Sequence, residues 1–471
     1  MLKNIIPEKV ESIHMIAICG TGMGALALML KDLGFTVTGS DLKVYPPMSD
    51  FLTDRGIDIA EGFNPDHLSY GPDLVIVGNA VSKDNPEVVG VGEMGLPFCS
   101  MPQALNRFVA AEKKQILITG THGKTTTSAI VAWILDCAGL DETFFIGGIL
   151  VNFNSNYRLG RGDYIVIEGD EYDTAFFDKG PKFMHYNPYA AILTSVEFDH
   201  ADIFRDKDHV LQVFTEFAAG LKNDSTLFAF DGDGNVEKVA ASAGCKVIEY
   251  GSSKGSGWCL DSIDLKPPWS RFEVLKDGDR YGRFETLLVG EHNLLNALSA
   301  IAVADLLDIP REIVKQALAT FRGVRRRQEV RGVKNGIVVM DDFAHHPTAV
   351  RETIKAVKPF YPDGRLIAVF EPRTNTSMRD VFQDVYPGCF DEADLICIRK
   401  PPLLKKIPEG QRFSSKKLVQ DLKQQGKDAL YFENTDLIID FLKKKAVPGD
   451  AILVMSNGGF DKIHERLLEA L

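Results

Sequence analysis

The chain has 471 residues, 45% of them hydrophobic and 25% charged, with a formal net charge of −12. That length asks for several domains, the composition is that of a folded globular chain, and the acidic balance argues against general nucleic-acid affinity. The chain lacks a signal-peptide core and any apolar run near the roughly 18–20 residues of a bilayer span, so a cytoplasmic protein with neither nucleic-acid nor membrane partners is expected.

Seven cysteines, at 19, 99, 137, 245, 259, 389 and 397, stand singly and without C-x-x-C spacing. They read as reduced thiols, mostly buried, rather than as disulfides or a zinc site. Short apolar runs alternate with helix-period segments from end to end, which predicts an α/β protein with largely parallel sheets. "IHMIAICGTGMGALALMLKDLGFTVTGSD" reads as strand, glycine turn, helix and a second strand ending at Asp41, and "DLVIVGNAVS" repeats the strand-then-loop pattern. After the polar "AAEKKQ", the strands "QILITG", "YIVIEGD", "AAILTSVEFD" and "STLFAF" follow. The Gly/Ser-rich, tryptophan-containing stretch near 251–270 reads as a loop or a β-insertion, and helices near 293–307 and 311–320 close the block. "GIVVMDDFAHHP", "RLIAVFEPR", "DLICIRK" and "AILVMSNGG" form a third α/β series before the last helix, "DKIHERLLEAL". Three α/β domains are predicted, over residues 1–110, 111–325 and 326–471, and no internal repeat is present.

Gly20-x-Gly22-x-x-Ala25 follows a strand and opens a helix, and Asp41 ends the next strand. Glycines let the backbone turn tightly and approach a pyrophosphate, and a carboxylate at that distance suits a ribose or base. The pattern points to a nucleotide without saying which, NAD being the default. "ITGTHGKTTT" is close to a phosphate-binding P-loop, but only Thr121 and His122 separate Gly120 from Gly123, and Ile118 stands where the standard first glycine belongs. Backbone N–H groups there can surround phosphate oxygens, Lys124 can reach the β/γ-phosphates, and Thr125 or Thr126 can hold Mg²⁺.

Such a metal needs further hard ligands. Glu168, Asp170, Glu171 and Asp173 stand at one strand end, and Glu197, Asp199, His200 and Asp202 beyond another. His292, Asn293 and Asn296 lie at a helix start, where the amides can meet adenine or phosphate, or Asn293 can be an ordinary N-cap. Asp341, Asp342, His345 and His346 precede Pro347 and can supply a base, a metal site or a ribose contact. Arg325–Arg327 reads as a local anion contact or a solvated turn.

Taken in order, the glycine turn, "GTHGKTTT", "EGDEYD", "EFDH", "GEHNLLNA", "RRR" and "DDFAHHPT" resemble the Mur ligase family, which assembles the peptide of peptidoglycan. The resemblance covers essentially the whole chain. It implies an N-terminal Rossmann-like UDP-binding domain, a central P-loop ATPase and a C-terminal Rossmann-like domain carrying the incoming peptide. Two branches of the family add their first unit to UDP-N-acetylmuramate, one taking L-alanine and the other the recycled tripeptide L-Ala-γ-D-Glu-meso-diaminopimelate. "YPPMSDFL", "GNAVSKDNP", "DEYDTAFFDKGPKFMHYNP", "FEPRTNT" and "VMSNGGFDKIHERLL" resemble the second branch.

The resemblance implies ATP and Mg²⁺ as cofactors and an acyl phosphate on the lactoyl carboxylate, which the peptide amine then attacks. Gly120, Thr121, His122, Gly123, Lys124, Thr125 and Thr126, with Asn293, Asn296, Arg327 and Asp342, are implied for ATP, and Thr125, Glu168 and His200 for the metal. Gly20, Thr21, Gly22, Met23, Asp41 and Ser82 would bind substrate, the glycine turn holding UDP; Arg373 and Asn375, with His345 and His346, would form the substrate-facing wall, and Ser456, Asn457 and Gly458 would contact the peptide. Lys124, Glu168, His200, His345 and His346 are the implied catalytic groups. Thr215 stands near the place where some members use a carbamylated lysine, and Gln328 where an aromatic residue or methionine is common. Folylpolyglutamate synthase shares the P-loop style without the UDP-type domain, an NAD-dependent oxidoreductase would leave the P-loop idle, and a non-catalytic P-loop protein would leave "DDFAHHPT" unexplained.

Overall fold

The computed structural model describes residues 3–44, 48–253 and 257–471, and these pack as two compact units. Of the described residues, the first holds those within 1–196, 211–249 and 300–314, and the second those within 197–210, 250–299 and 315–471. Tyr45, Pro46 and Pro47 of "YPPMSDFL" lie outside the described residues, as do 254–256 of the Gly/Ser-rich stretch.

The first unit begins with a parallel sheet in the order Lys3–Asn4, Pro97–Ser100, Leu74–Val77, Ser12–Ile16, Thr36–Asp41, Asp58–Glu61. Its middle strands are buried on both faces and accordingly carry continuous apolar runs, "LVIV" being buried throughout. The helix Thr21–Asp32 buries every residue from Met23 to Leu30, which explains why its sequence is apolar nearly all round. The helix Pro86–Met94 is delimited by local chemistry. Asn85 caps it by accepting from the N–H groups of Glu87 and Val88, proline occupies the first turn, and Gly95 ends it at φ 68°.

A second sheet in this unit orders Thr226–Phe230, Pro188–Leu193, Lys114–Thr119, Tyr164–Gly169, Thr143–Leu150 and Ser155–Arg158, parallel except for the last pair. From Lys114–Thr119 the chain passes to Thr143–Leu150 on one side, and from its neighbour Tyr164–Gly169 it crosses to Pro188–Leu193 on the other, so the loop after Lys114–Thr119 opens at a topological switch point, where α/β sheets bind ligands. Ser12–Ile16 occupies the same place in the first sheet.

In the second unit the described part of the stretch near 251–270 is β-structure from Trp258 onward. Trp258–Lys266, Trp269–Lys276 and Asp279–Thr286 pair antiparallel. A further sheet orders Glu329–Lys334, Ile337–Asp342, Ala451–Met455, Leu366–Phe370, Leu395–Arg399 and Ala429–Phe432, parallel apart from its first pair. Apolar clusters cover both faces, one around Phe370, Tyr386 and Phe390, the other around Val454, Phe460 and Leu467. Two-residue turns, Asp277–Gly278 and Asn335–Gly336, close the hairpins with the positive φ that the twist of paired strands demands. All seven cysteines are free thiols, with 99, 259, 389 and 397 buried. Among the described residues no helix is long and apolar enough to cross a membrane.

Candidate functional site

Residues 120–123 connect the switch-point strand to the helix Lys124–Cys137. Gly120 sits at φ 123°, and a Cβ there would lie 2.3 Å from Thr194 Oγ1 and within 3 Å of the Ser195 backbone, so only glycine fits. The loop is pinned to that neighbouring segment. Thr121 N–H donates to Ser195 O (3.0 Å), His122 N–H to Ser195 Oγ (3.0 Å), and Thr194 Oγ1 to His122 O (2.5 Å). The first-turn N–H groups of the helix have no partner within it and point out of its N-terminal end, giving an anion site with a favourable dipole.

Lys124 folds back across this loop. Its Nζ donates to Gly120 O (2.6 Å), Thr121 O (3.3 Å) and Glu171 Oε2 (2.8 Å). Burial pulls the ammonium down, but the carboxylates of Glu171 and Asp170 outweigh it and hold the pKa above its ordinary value. Thr125 Oγ1 donates to Glu168 Oε1 (2.7 Å), and Gly147 N–H to Glu168 Oε2 (2.6 Å). Burial, reinforced by the charge of Asp170, pushes Glu168 up. Asp170 goes down instead, because Lys182 and Lys124 overcome its burial, with Lys182 Nζ 2.8 Å from Oδ2. The P-loop and the "EGDEYD" strand end therefore form one site of two lysines, three carboxylates and a hydroxyl. Thr125 and Glu168 offer adjacent hard oxygens that suit Mg²⁺, and Lys124 with the helix end suits a polyphosphate.

Around the first glycine turn, Gly20 and Thr21 are exposed, Gly22 is half-buried and the Met23 side chain is buried. Gly22 sits beside Phe145, and Asn156 Nδ2 reaches Thr21 O (3.5 Å). Asp41, expected at a ribose or base, has its Oδ2 accepting from Cys19 N–H (2.9 Å) and so braces the glycine turn. Ser82 is exposed on the loop after Leu74–Val77.

In the second unit, Asn293 is no N-cap, since the helix starts at Glu291 and places Asn293 inside its first turn. Its Nδ2 donates to Val289 O (2.8 Å) and Gln328 Oε1 (3.2 Å), and its Oδ1 accepts from Asn296 (3.2 Å). The two amides and Gln328 thus form one cluster. Asp342 accepts from the N–H groups of Gln328 (2.8 Å) and Ala344 (2.7 Å). Burial pushes it up against the opposing charge of Arg327, whose guanidinium lies over Phe343.

His345 and His346 diverge. His346 is buried and caps the helix Pro347–Val357, accepting from Thr348 N–H at Nδ1 (3.3 Å) while Nε2 lies 3.2 Å from Phe198 O. His345 Nδ1 faces Phe343 O (3.0 Å), and its Nε2 lies 3.6 Å from Asp199. Burial would raise Asp199, but His345 and the neighbouring His200 hold it well below the carboxylate range. His200 sits at φ 51°, its N–H donating to Asp199 Oδ1 (2.7 Å). Asn375 donates to Asp202 (2.9 Å), tying "EPRTNT" to "DHADIF". Arg326 donates to Ser456 O and Gly458 O (both 2.7 Å), while Arg325 pairs with Glu329, so one member of the basic run holds the "SNGG" turn and another is surface.

Lys182, which holds Asp170, escapes sequence reasoning, and Arg326, read there only within the basic run as an anion contact or a solvated turn, instead holds the carbonyls of Ser456 and Gly458. Lys182 lies twelve residues past Asp170 with no periodic relation to it.

Three family models match the chain: Mur ligase family, catalytic domain, over residues 12–113; Mur ligase middle domain over 118–304; and Mur ligase, glutamate ligase domain, over 326–458. The chain is 40% identical over 460 residues to the UDP-N-acetylmuramate–L-alanyl-gamma-D-glutamyl-meso-2,6-diaminoheptandioate ligase of Escherichia coli (strain K12), covering 98% of each. It is 34% identical over 466 residues to the UDP-N-acetylmuramate–L-alanine ligase of Caldanaerobacter subterraneus subsp. tengcongensis, again covering 98% of each. The crystal structure of a murein peptide ligase from Psychrobacter arcticus 273-4 superposes with a TM-score of 0.71 at 35% identity, covering 98% of both chains. The glycine turn that alone would have suggested NAD lies within the first matched segment, and the oxidoreductase reading is set aside. With all three segments matched in order and its full length shared with these ligases, the chain belongs to the Mur ligase family.

Proposed function

We propose that this protein is an ATP-dependent amide ligase joining the lactoyl carboxylate of UDP-N-acetylmuramate to the amine of L-Ala-γ-D-Glu-meso-diaminopimelate, in cytoplasmic recycling of peptidoglycan peptide. The observation that carries the reading is full-length similarity, at 40% identity, to a ligase named for those substrates. The phosphate loop with its lysine and paired hard oxygens supports it.

A carboxylate is a poor acyl donor because oxide leaves badly. In the proposed reaction the lactoyl oxygen attacks the γ-phosphorus of ATP, the bond to the β-phosphate oxygen breaks, and ADP departs. The peptide amine then attacks the acyl carbon, the C–O bond to phosphate breaks, and the amine loses a proton. Lys124 and the helix N-terminus hold the phosphates in line. Thr125 and Glu168, with His200, are the proposed Mg²⁺ ligands, and the ion would offset charge on the phosphoryl oxygens. Both His346 nitrogens face backbone partners, so His345 beside Asp199 is the better proton acceptor of the pair. Residues 1–110 are proposed to bind the UDP substrate, 111–325 ATP with Asn293 and Asn296, and 326–471 the peptide, with Arg327 and Asp342 on the ATP.

The test is phosphate release with ATP, Mg²⁺ and UDP-N-acetylmuramate, comparing the tripeptide with L-alanine and weighing the product by mass spectrometry. Release with the tripeptide and a UDP-muramoyl-tripeptide mass are expected. Release with L-alanine alone would move the protein to the L-alanine branch, and silence with both would refute the assignment.

A further inference from the structure

Two of the stretches that resemble the tripeptide branch, "DEYDTAFFDKGPKFMHYNP" and "GNAVSKDNP", meet in the first unit. Asp173–Ala175 and Asp178–Pro181 pair antiparallel with Ala175 opposite Asp178, so Phe176 and Phe177 form the tip of a hairpin. Two-residue hairpin turns favour Gly, Asn or Asp, and two phenylalanines at a tip need a reason beyond turning. Their neighbours supply it. Both rings pack against the apolar cluster that includes Ile16, Val77, Val81, Val88 and Phe98. Phe177 meets Phe98 edge to face, with centroids 4.7 Å apart at 90°, and Phe176 meets Phe177 at 5.0 Å and 84°. Ile16 leads into the glycine turn and Val81 adjoins Ser82, so the tip rests on residues that carry both loops proposed to hold the UDP substrate.

The other end of the hairpin is tied to the phosphate site. Lys182, directly after the second strand, returns to Asp170 Oδ2 (2.8 Å) and lies over the Tyr172 ring, 4.1 Å from its centroid. Asp170 adjoins Glu171, whose Oε2 accepts from Lys124 (2.8 Å). Between tip and base the hairpin is braced, with Thr174 Oγ1 donating to Gly180 O (2.9 Å) and Lys179 Nζ to Asp173 Oδ2 (2.9 Å). A braced element that is close-packed at both ends passes a displacement on instead of absorbing it. One end is set by the UDP loops and the other by the lysine proposed to meet ATP.

We propose that Phe177 is a positioning residue that couples the two nucleotide sites, so that UDP-N-acetylmuramate and ATP each bind more tightly in the presence of the other. The inference rests on the ligase reading above. A lactoyl carboxylate can be phosphorylated only when both are bound, and ATP held without that acceptor leaves its γ-phosphate open to water. Filling the UDP loops fixes the tip, the tip fixes Asp170 and Glu171, and these fix Lys124.

The experiment uses the full-length protein, Mg²⁺ and a non-hydrolysable ATP analogue. Calorimetry gives the affinity of the analogue with and without saturating UDP-N-acetylmuramate, and that of UDP-N-acetylmuramate with and without saturating analogue. In the wild type each should tighten the other by the same factor, about fivefold or more. F177A should bring that factor close to one while each ligand alone binds about as in the wild type. A general loosening of the fold would weaken the single affinities and leave the factor, so the factor is the readout. F177L, which keeps apolar bulk but not the edge-to-face ring contact, serves if F177A does not fold, and should lower the factor. A wild type that binds both ligands with no mutual effect, or an F177A or F177L protein that keeps the full factor, would overturn the inference and leave the ligase reading standing. A wild type that binds the analogue but not UDP-N-acetylmuramate would overturn both.

Discussion

Replacing Lys124 with methionine separates a structural role from a chemical one. The Nζ is 2.8 Å from Glu171 Oε2, and the two side chains are only 11% and 4% exposed. Removing the cation leaves a buried carboxylate without its main counter-charge, which costs about 3–5 kcal/mol, or on the order of 10 °C in the unfolding midpoint. The stranded carboxylate can escape by taking up a proton, so the loss should be smaller near pH 5 than at pH 8. In K124M/E171Q neither charge is present, and most of the midpoint should return. Turnover should not, because a phosphate-binding cation is worth about 10²–10³ in rate whatever the stability. The assay pairs thermal melts of the wild type and both variants with phosphate release, and with titration of UDP-N-acetylmuramate, whose affinity should change less than about twofold. An unchanged K124M midpoint would refute the ion-pair reasoning, and a double variant with wild-type turnover would refute the phosphate role.

Gly120→Ala should abolish ATP binding measured by calorimetry, since its Cβ would fall 2.3 Å from Thr194 Oγ1 at φ 123°, and near-normal affinity would contradict the loop geometry. Glu142 is buried, and burial, opposed by its own N–H and by Arg158, pushes its pKa up to about 7 from 4.5. The folded state then holds this proton more tightly than the unfolded state. The stabilisation is complete below pH 4.5 and is lost as pH rises through about 7. Between about pH 5.5 and 8, urea titrations should show the wild type losing about 2 kcal/mol more than Glu142→Gln. Chelation of Mg²⁺ should stop phosphate release, and Glu168→Gln should raise the Mg²⁺ concentration for half-maximal activity by about tenfold or more, whereas a magnesium-independent rate would exclude the proposed ligands.

The sequence by itself determined the elements that repeat a physical rule. Buried parallel strands announce themselves as continuous apolar runs, and Gly120 and Gly123 before Lys124 mark a tight turn from strand to helix. Those signals are local, so the strand-loop-helix units, the α/β class and the glycine loop before Lys124 are legible from sequence alone. Asn293 was only half legible, because an amide near a helix start suits a cap and a ligand contact equally until the helix boundary is known. What tertiary structure decided is which charges share one burial. Lys124 with Glu171, Lys182 with Asp170, and Arg373 laid across Gly458 join residues 12 to 85 positions apart, brought together by sheet order rather than by spacing. It also parted adjacent histidines, giving His346 to the helix cap and His345 to Asp199, because the turn between strand and helix points successive side chains in different directions. Burial sets the strength of each such pair, and no stretch of sequence carries its own burial.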